Sequence, residues 1–356
     1  MRIALVDPLA YTPPYDHALA SALAREGHAV TLLTSRFPHG RAPEPEGYAR
    51  EELFAPVSTR VFRRSPLRLA AKGIEYAPSV ARLLRRVERL DPDVVHVQWL
   101  PRPEVDLRWL RQIADERPVV LTAHDVVPRR RKALRVWPDV LETAERVIVH
   151  SERAVEQLVE LGLGRERIAR IPHPVFEAEP LPPPEGRTLL FFGLIRDYKG
   201  LDVLLEALPQ IRDARLIVAG DPLSRDQVPG HVPSRQVEWR LGFVPDEQVP
   251  QLMQQAAAVV LPYRQLDSSG VLATAIGYRR PVVVTDVGSL GEIVREYKAG
   301  EVVPVDDAEA LAKACTRLLQ PKRLAVAYEG ADRAARELTW ERSAAEHDRV
   351  YRAVRR

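Results

Sequence analysis

TLLFFGLIRDYKGLDVLLEALPQIRDARLIVAG, residues 188–220, decides the fold. Its apolar run TLLFFGLI reads as a strand, GLDVLLEALPQI as a helix and ARLIVAG as a second strand. Both strands are apolar throughout rather than alternating, the pattern of parallel strands covered on both faces by helices. Downstream the rhythm continues through AAVVLPY, GVLATAIGY, PVVVTDVG and DAEALAKACTRLL. Upstream it stops at PHPVFEAEPLPPPEG, residues 172–186, whose prolines exclude a helix or a central strand and leave a stiff extended linker. Before that linker the alternation is present again. RIALVDP, YDHALASALAREG and HAVTLLTS are followed by DVVHVQWL, PVVLTAHD and RVIVHS, the last running into ERAVEQLVELG. The expectation is an α/β protein of two doubly wound domains. Ligands of such sheets lie beyond the carboxyl ends of the strands, so the cleft between the domains is the expected site.

The 356 residues are enough for two domains that each bury a core, and 46% hydrophobic with 28% charged residues is an ordinary globular balance. The opening MRIALVDP is too short and too soon interrupted by Asp7 for a signal peptide, and no later run is long enough to span a bilayer, which reads as cytoplasmic. Cys315 stands alone, so an internal disulfide is excluded, and its setting ALAKACTRLL makes it a buried helical thiol. A net charge of +3 gives no case for nucleic acid. Residues 60–132 are locally more basic, with 17 Lys and Arg against 9 Asp and Glu. That excess is either a solvated face or a patch that leans on anionic lipid, peripherally at the inner membrane face, or on an anionic acceptor.

Two loops carry the chemistry. In FFGLIRDYKGLDVLLEAL a strand ends at Gly193, a basic loop holds Arg196 and Lys199, and a helix opens near Gly200. Backbone amides, a helix amino terminus and two cations at one strand end suit a diphosphate. In LPYRQLDSSGVLATAIGY a polar loop, Asp267-Ser268-Ser269-Gly270, leads into a helix. Either serine can cap that helix and leave amides free for a phosphate. A charged surface loop and simple capping are the plainer readings. Asp91-Pro92-Asp93 has the look of a metal-binding pair but precedes a strand, where a turn is simpler. His96, His150 and His173 lack zinc spacing, and Arg129–Lys132 reads as a solvated loop. There is no P-loop, no dinucleotide fingerprint and no metal cluster.

Six segments, in order, carry a resemblance. They are DPDVVHVQW, LTAHD, VIVHSERAVEQLVELGLGRERIARIPHP, FFGLIRDYKGLDVLLEAL, GFVPDEQVPQLMQQAAAVVLPY and GVLATAIGYRRPVVVTDVGSLGEIV. Together they resemble the family 4 retaining glycosyltransferases of the GT-B fold, the group 1 glycosyltransferases. The resemblance implies two Rossmann-like domains: an acceptor-binding domain over 1–178 and a nucleotide-sugar-binding domain over 179–339, with the helix over 340–356 packing back on the first. It implies that Lys199 contacts the donor diphosphate, and that His124 lies near the donor sugar and orients it. Phe243 and Val244 would frame the base, and Glu292 matches a common family glutamate. Gly193, Ser268, Ser269, Gly270 and Val271 complete the donor loops. Transfer in this family needs no metal and no cofactor beyond the nucleotide sugar, and retention is ascribed to same-face attack.

The chain departs from the family in three places. Leu194 stands where an arginine usually follows the glycine, which leaves Arg196 as its substitute. The usual pair of glutamates eight positions apart is missing. Counting from Pro281 puts Leu266 and Thr274 there, and counting from Gly270 puts Asp267 and Ala275, so Asp267 and Thr274 are the donor-side candidates. The first loop has Pro13-Pro14-Tyr15 in place of a Gly-Gly pair, and Tyr15, Asp16 and His17 become the acceptor candidates. The expected acceptor is a sugar, a lipid-linked acceptor or a small molecule. A GT-B nucleotide-sugar epimerase and a non-catalytic nucleotide-sugar-binding protein are the competing readings.

Overall fold

The computed structural model describes residues 1–37, 42–55, 68–128, 130–184, 186–222, 228 and 235–355. The side chains of 68–73 are not described, nor is Arg129, so the basic stretch 60–132 lies partly outside the described residues. The chain divides into two compact units, Met1–Pro172 with Trp340–Arg356, and His173–Thr339.

The first unit is built on a parallel sheet in the order β3-β2-β1-β4-β5-β6-β7. Its elements are β1 (Arg2–Asp7), α1 (Pro13–Arg25), β2 (Ala29–Ser35), β3 (Ala49–Phe54), α2 (Arg68–Leu90) and β4 (Val94–Val97). After these come α3 (Pro103–Ala114), β5 (Val119–Thr122), α4 (Arg131–Thr143), β6 (Arg146–Val149), α5 (Glu152–Glu160) and β7 (Ile168–Arg170). Leu5 of β1 pairs in register with Leu32 of β2 on one side and His96 of β4 on the other. Asp91 and Asp93 form the turn into β4. The Asp93 carboxylate accepts from the Arg2 amide at 2.7 Å, and Asp91 pairs with Arg2 and Arg117.

In the second unit the order is β10-β9-β8-β11-β12-β13, again parallel throughout. It contains β8 (Thr188–Phe192), α6 (Leu201–Ala207), β9 (Arg215–Gly220), β10 (Val237–Leu241), α7 (Val249–Gln255) and β11 (Ala258–Leu261). It continues with α8 (Gly270–Gly277), β12 (Val282–Thr285), α9 (Gly288–Tyr297), β13 (Gly300–Val303), α10 (Ala308–Leu318) and α11 (Pro321–Glu337). The two-residue period of a strand explains why these runs are apolar throughout. Leu190, Val259 and Leu261 enter one core, while Leu189, Phe191, Ala258 and Val260 enter the core on the opposite face. Cys315 is buried in α10, and burial pushes its thiol up to about 12.

The division falls between Pro172 and His173 rather than at 178/179, because the proline-rich segment is strapped to the second unit. The Val175 amide donates to the Leu338 carbonyl at 2.8 Å, and the buried guanidinium of Arg280 donates to the Pro182 carbonyl at 2.8 Å. α12 (Trp340–Val354) belongs to the first unit. Tyr351 meets His96 at 2.7 Å, Asp348 meets His28 at 3.1 Å, and the Trp340 ring stands edge-on to Tyr15.

Candidate functional site

In the second unit the strand order reverses between β8 and β11, so the loops leaving their carboxyl ends part and open a crevice. After β8 the chain makes one tight turn, Asp197–Lys199, closed by the Gly200 amide on the Asp197 carbonyl. Gly200 has φ 63°, and any Cβ there would overlap the carbonyl oxygen of Pro262, so glycine is required for β11 to press so close. Lys199 is 7% exposed, with Nζ 5.1 Å from the centre of the Tyr263 ring. Gly193 leaves the room that ammonium occupies: a Cβ at 193 would lie 3.3 Å from Nζ. Among the described residues no carboxylate pairs with Lys199. Burial, with the neighbouring Arg196 charge adding to it, lowers the ammonium from 10.5 to about 8. A cation desolvated this far and left without a counter-charge is costly unless an anion joins it.

The loop after β11 arrives at the same place. Ser269 caps α8, its Oγ accepting from the Leu272 amide at 3.2 Å, while the first turn, Gly270 and Val271, presents further amides. A Cβ at Gly193 would lie 3.1 Å from a Val271 methyl, so Gly193, Lys199 and the start of α8 form one group. Asp267 joins through its carbonyl, which accepts from the Ser289 amide at 2.8 Å in the first turn of α9. Glu292 is half-buried on α9 beside Arg295. Ser268 is half-buried in the loop.

Other sequence-derived candidates are placed differently. Nη1 of Arg196 donates to two carbonyls, those of Ile195 at 2.6 Å and Asp221 at 3.1 Å, which ties the guanidinium to the exits of β8 and β9. The Thr274 hydroxyl donates to the Gly270 carbonyl at 2.8 Å, a contact inside the helix. Phe243 is exposed and Val244 half-buried after β10, where with Arg240, Gln248 and Gln251 they line a hollow of about 180 Å³. Sequence patterning missed Tyr263 and Arg264, whose contacts with Lys199, Asp202 and Asp306 join residues remote in the chain.

His124 follows β5 in the first unit. Its Nε2 lies 3.0 Å from Gln98 Oε1, which makes Nε2 the protonated, donating nitrogen. Trp99 lies flat against the ring, centroids 4.9 Å apart at 13°, and Tyr15 meets it edge-on at 4.9 Å. Trp99 Nε1 donates to Thr12 Oγ1 at 3.0 Å, which ties this stack to the loop after β1. The His124 ring is therefore held in one orientation.

Of the expected acceptor residues, Tyr15 and Asp16 are 2% and 1% exposed. Asp16 is hydrogen-bonded to Asp7, whose carboxylate accepts from the amides of Leu9, Tyr11 and Thr12. Burial raises both acids. Those three amides favour the charge on Asp7, so Asp16 keeps the proton. His17 is half-buried and meets the Tyr48 hydroxyl at 3.1 Å. Among the described residues no cluster of His, Cys, Asp or Glu has metal-binding geometry, and no helix is long and apolar enough to cross a membrane.

Residues 15–178 match the family model described as Glycosyltransferase Family 4, and residues 186–321 match that described as Glycosyl transferases group 1. The chain is 28% identical to a phosphatidyl-myo-inositol mannosyltransferase of Mycolicibacterium smegmatis, over 99% of this chain and 94% of that protein. It is 27% identical to a D-inositol 3-phosphate glycosyltransferase of Jonesia denitrificans, over 74% of this chain and 72% of that protein. In fold it superposes on a sucrose-phosphate synthase from Thermosynechococcus elongatus with a TM-score of 0.78 and 22% identity, covering 99% of this chain and 98% of the other.

Proposed function

The chain is a family 4, group 1 glycosyltransferase with the GT-B fold, and we propose that it transfers a hexosyl group from a nucleoside diphosphate sugar to a hydroxyl acceptor, with retention and without a metal. One observation carries this reading: the buried, unpaired ammonium of Lys199 beside the capped amino terminus of α8. A diphosphate supplies the missing negative charge and accepts from the free amides. As the anomeric bond breaks, charge grows on the leaving phosphate, so a preorganised cation there acts on the transition state. Arg196, held through Nη1 by two carbonyls, adds a second cation beside Lys199. In same-face attack the donor phosphate oxygen takes the acceptor proton. His124 then orients the sugar through a ring fixed by Gln98 and Trp99.

Both relatives carry inositol-bearing substrates in their names, so phosphatidylinositol and inositol phosphates head the acceptor panel. A lipid acceptor would also give a purpose to the basic residues of the first unit, as a weak contact with an anionic membrane. The test is a thermal-shift screen over UDP-, GDP-, ADP- and dTDP-sugars, because a bound donor stabilises the native state by mass action. The stabilising donor is then incubated with the acceptor panel, and the anomeric configuration of the product is read by NMR. Inverted product overturns retention. Conversion of the donor with no acceptor present makes the protein an epimerase, and no stabilisation by any nucleotide sugar removes the donor site.

A further inference from the structure

Arg264 stands at the exit of β11, 31% exposed at its side chain, and is bonded to three separate parts of the second unit. Its backbone amide donates to the Tyr198 carbonyl at 2.7 Å. Nη1 donates to the Asp197 carbonyl at 2.6 Å and to Asp202 Oδ1 at 3.0 Å, and Nη2 donates to Asp202 Oδ2 at 2.6 Å. Nε donates to Asp306 Oδ1 at 2.6 Å in the loop before α10. One guanidinium thus spans the turn that carries Lys199, the first turn of α6 and a third loop. Its two neighbours finish the seat: Pro262 abuts Gly200, and the Tyr263 ring lies under Lys199 Nζ.

We infer that Arg264 is a positioning residue for the donor site: it touches no donor atom but fixes the Asp197–Lys199 turn, so that the Lys199 ammonium is held where the diphosphate binds. The inference rests on the donor reading above and adds a residue to it. A planar fork suits this task, because it satisfies a carboxylate and a carbonyl at once and leaves little freedom between them. Lys199 is the member that needs fixing. An ammonium in a confined, nearly dry position is expelled toward water as soon as its turn loosens, and a four-carbon chain can then leave the site by rotamer change. The plainer alternative is an exposed ion pair that adds little to anything. Bidentate geometry on Asp202 and the additional Nη1 bond to the Asp197 carbonyl of the Lys199 turn favour the positioning role.

The test titrates inorganic pyrophosphate, UDP and GDP calorimetrically into wild type, Arg264→Met, Lys199→Ala and the double variant. Arg264→Met is expected to weaken each probe that wild type binds by roughly five- to tenfold, the coupling range of groups in one network. In the Lys199→Ala background the same change should have no further effect, which a merely structural residue would not achieve. Arg317→Met removes an ion pair with Glu301 elsewhere in the unit and should leave every titration unchanged. Hydrogen exchange of residues 197–201 in the ligand-free protein should quicken in Arg264→Met. If that variant does not fold, Asp202→Asn and Arg264→Lys carry the same comparison. A lowered melting temperature with unchanged affinity, or full additivity with Lys199→Ala, overturns the inference. Should wild type bind none of the probes, the donor reading fails; exchange at 197–201 that Arg264→Met leaves unaltered overturns the positioning role separately.

Discussion

Replacing Lys199 with Met should make the ligand-free protein more stable while removing the function of the site. The ammonium falls from 10.5 to about 8 on folding because its surroundings disfavour the charge. That shift amounts to about 3 kcal/mol against the folded state wherever the group is charged in both states, at about 1.4 kcal/mol per unit. The Tyr263 ring face returns part of it, about 1 kcal/mol for a cation over an aromatic ring, leaving a penalty near 2 kcal/mol. The penalty is fully present below pH 8, shrinks between pH 8 and 10.5, and vanishes above, because the folded state there no longer differs in protonation. Methionine keeps most of the aliphatic stem and drops the charge. At roughly 2–4 °C per kcal/mol for a unit of this size, the melting transition should rise by about 4–8 °C at pH 7. Calorimetry at pH 7 and pH 10.5 reads the effect, and the gain should be smaller at the higher pH. The same variant should bind the nucleoside diphosphate at least about tenfold less tightly, the loss expected for one charge-assisted contact. A variant that melts lower than wild type at pH 7 and titrates as wild type does would refute both the desolvation argument and the assignment of Lys199.

His124→Ala should depress kcat strongly while the Kd for the free nucleoside diphosphate stays within about twofold, since the proposed donor site is built from second-unit residues; equal loss of both would make His124 a packing residue. Activity should survive EDTA in a radiolabelled transfer assay, and abolition by chelation with rescue by manganese or magnesium would reopen Asp91 and Asp93 as metal ligands. His347 is fully buried, and burial lowers its imidazole to about 4, so its contribution is present above pH 6.5 and lost as pH falls from 6.5 to 4. His347→Leu should therefore gain stability relative to wild type across that window, by up to about 3 kcal/mol in urea titrations at pH 4 compared with pH 7.

The amino-acid sequence by itself determined the elements, their order and the restart of the pattern after the prolines. These follow from local chemistry. Uninterrupted apolar runs such as TLLFF and AVVL need cover on both faces, and Ser269 before a helical run is a cap whatever surrounds it. The loop holding Gly193 and Lys199 was legible for the same reason: glycine, basic residues and a helix start lie within a few positions of one another. Only the tertiary structure decided where those groups meet. The burial of Lys199, the reach of Arg264 to Asp202 and Asp306, and the seat of His124 between Trp99 and Tyr15 all join residues far apart in the chain. Their meeting depends on which strands are neighbours, and the order β9-β8-β11-β12 is not written in any one segment. Asp16 and Thr274 show the converse. Each was a candidate in its own stretch of sequence; the fold sets the Asp16 carboxyl against Asp7, while α8 itself turns the Thr274 hydroxyl onto the Gly270 carbonyl four residues earlier.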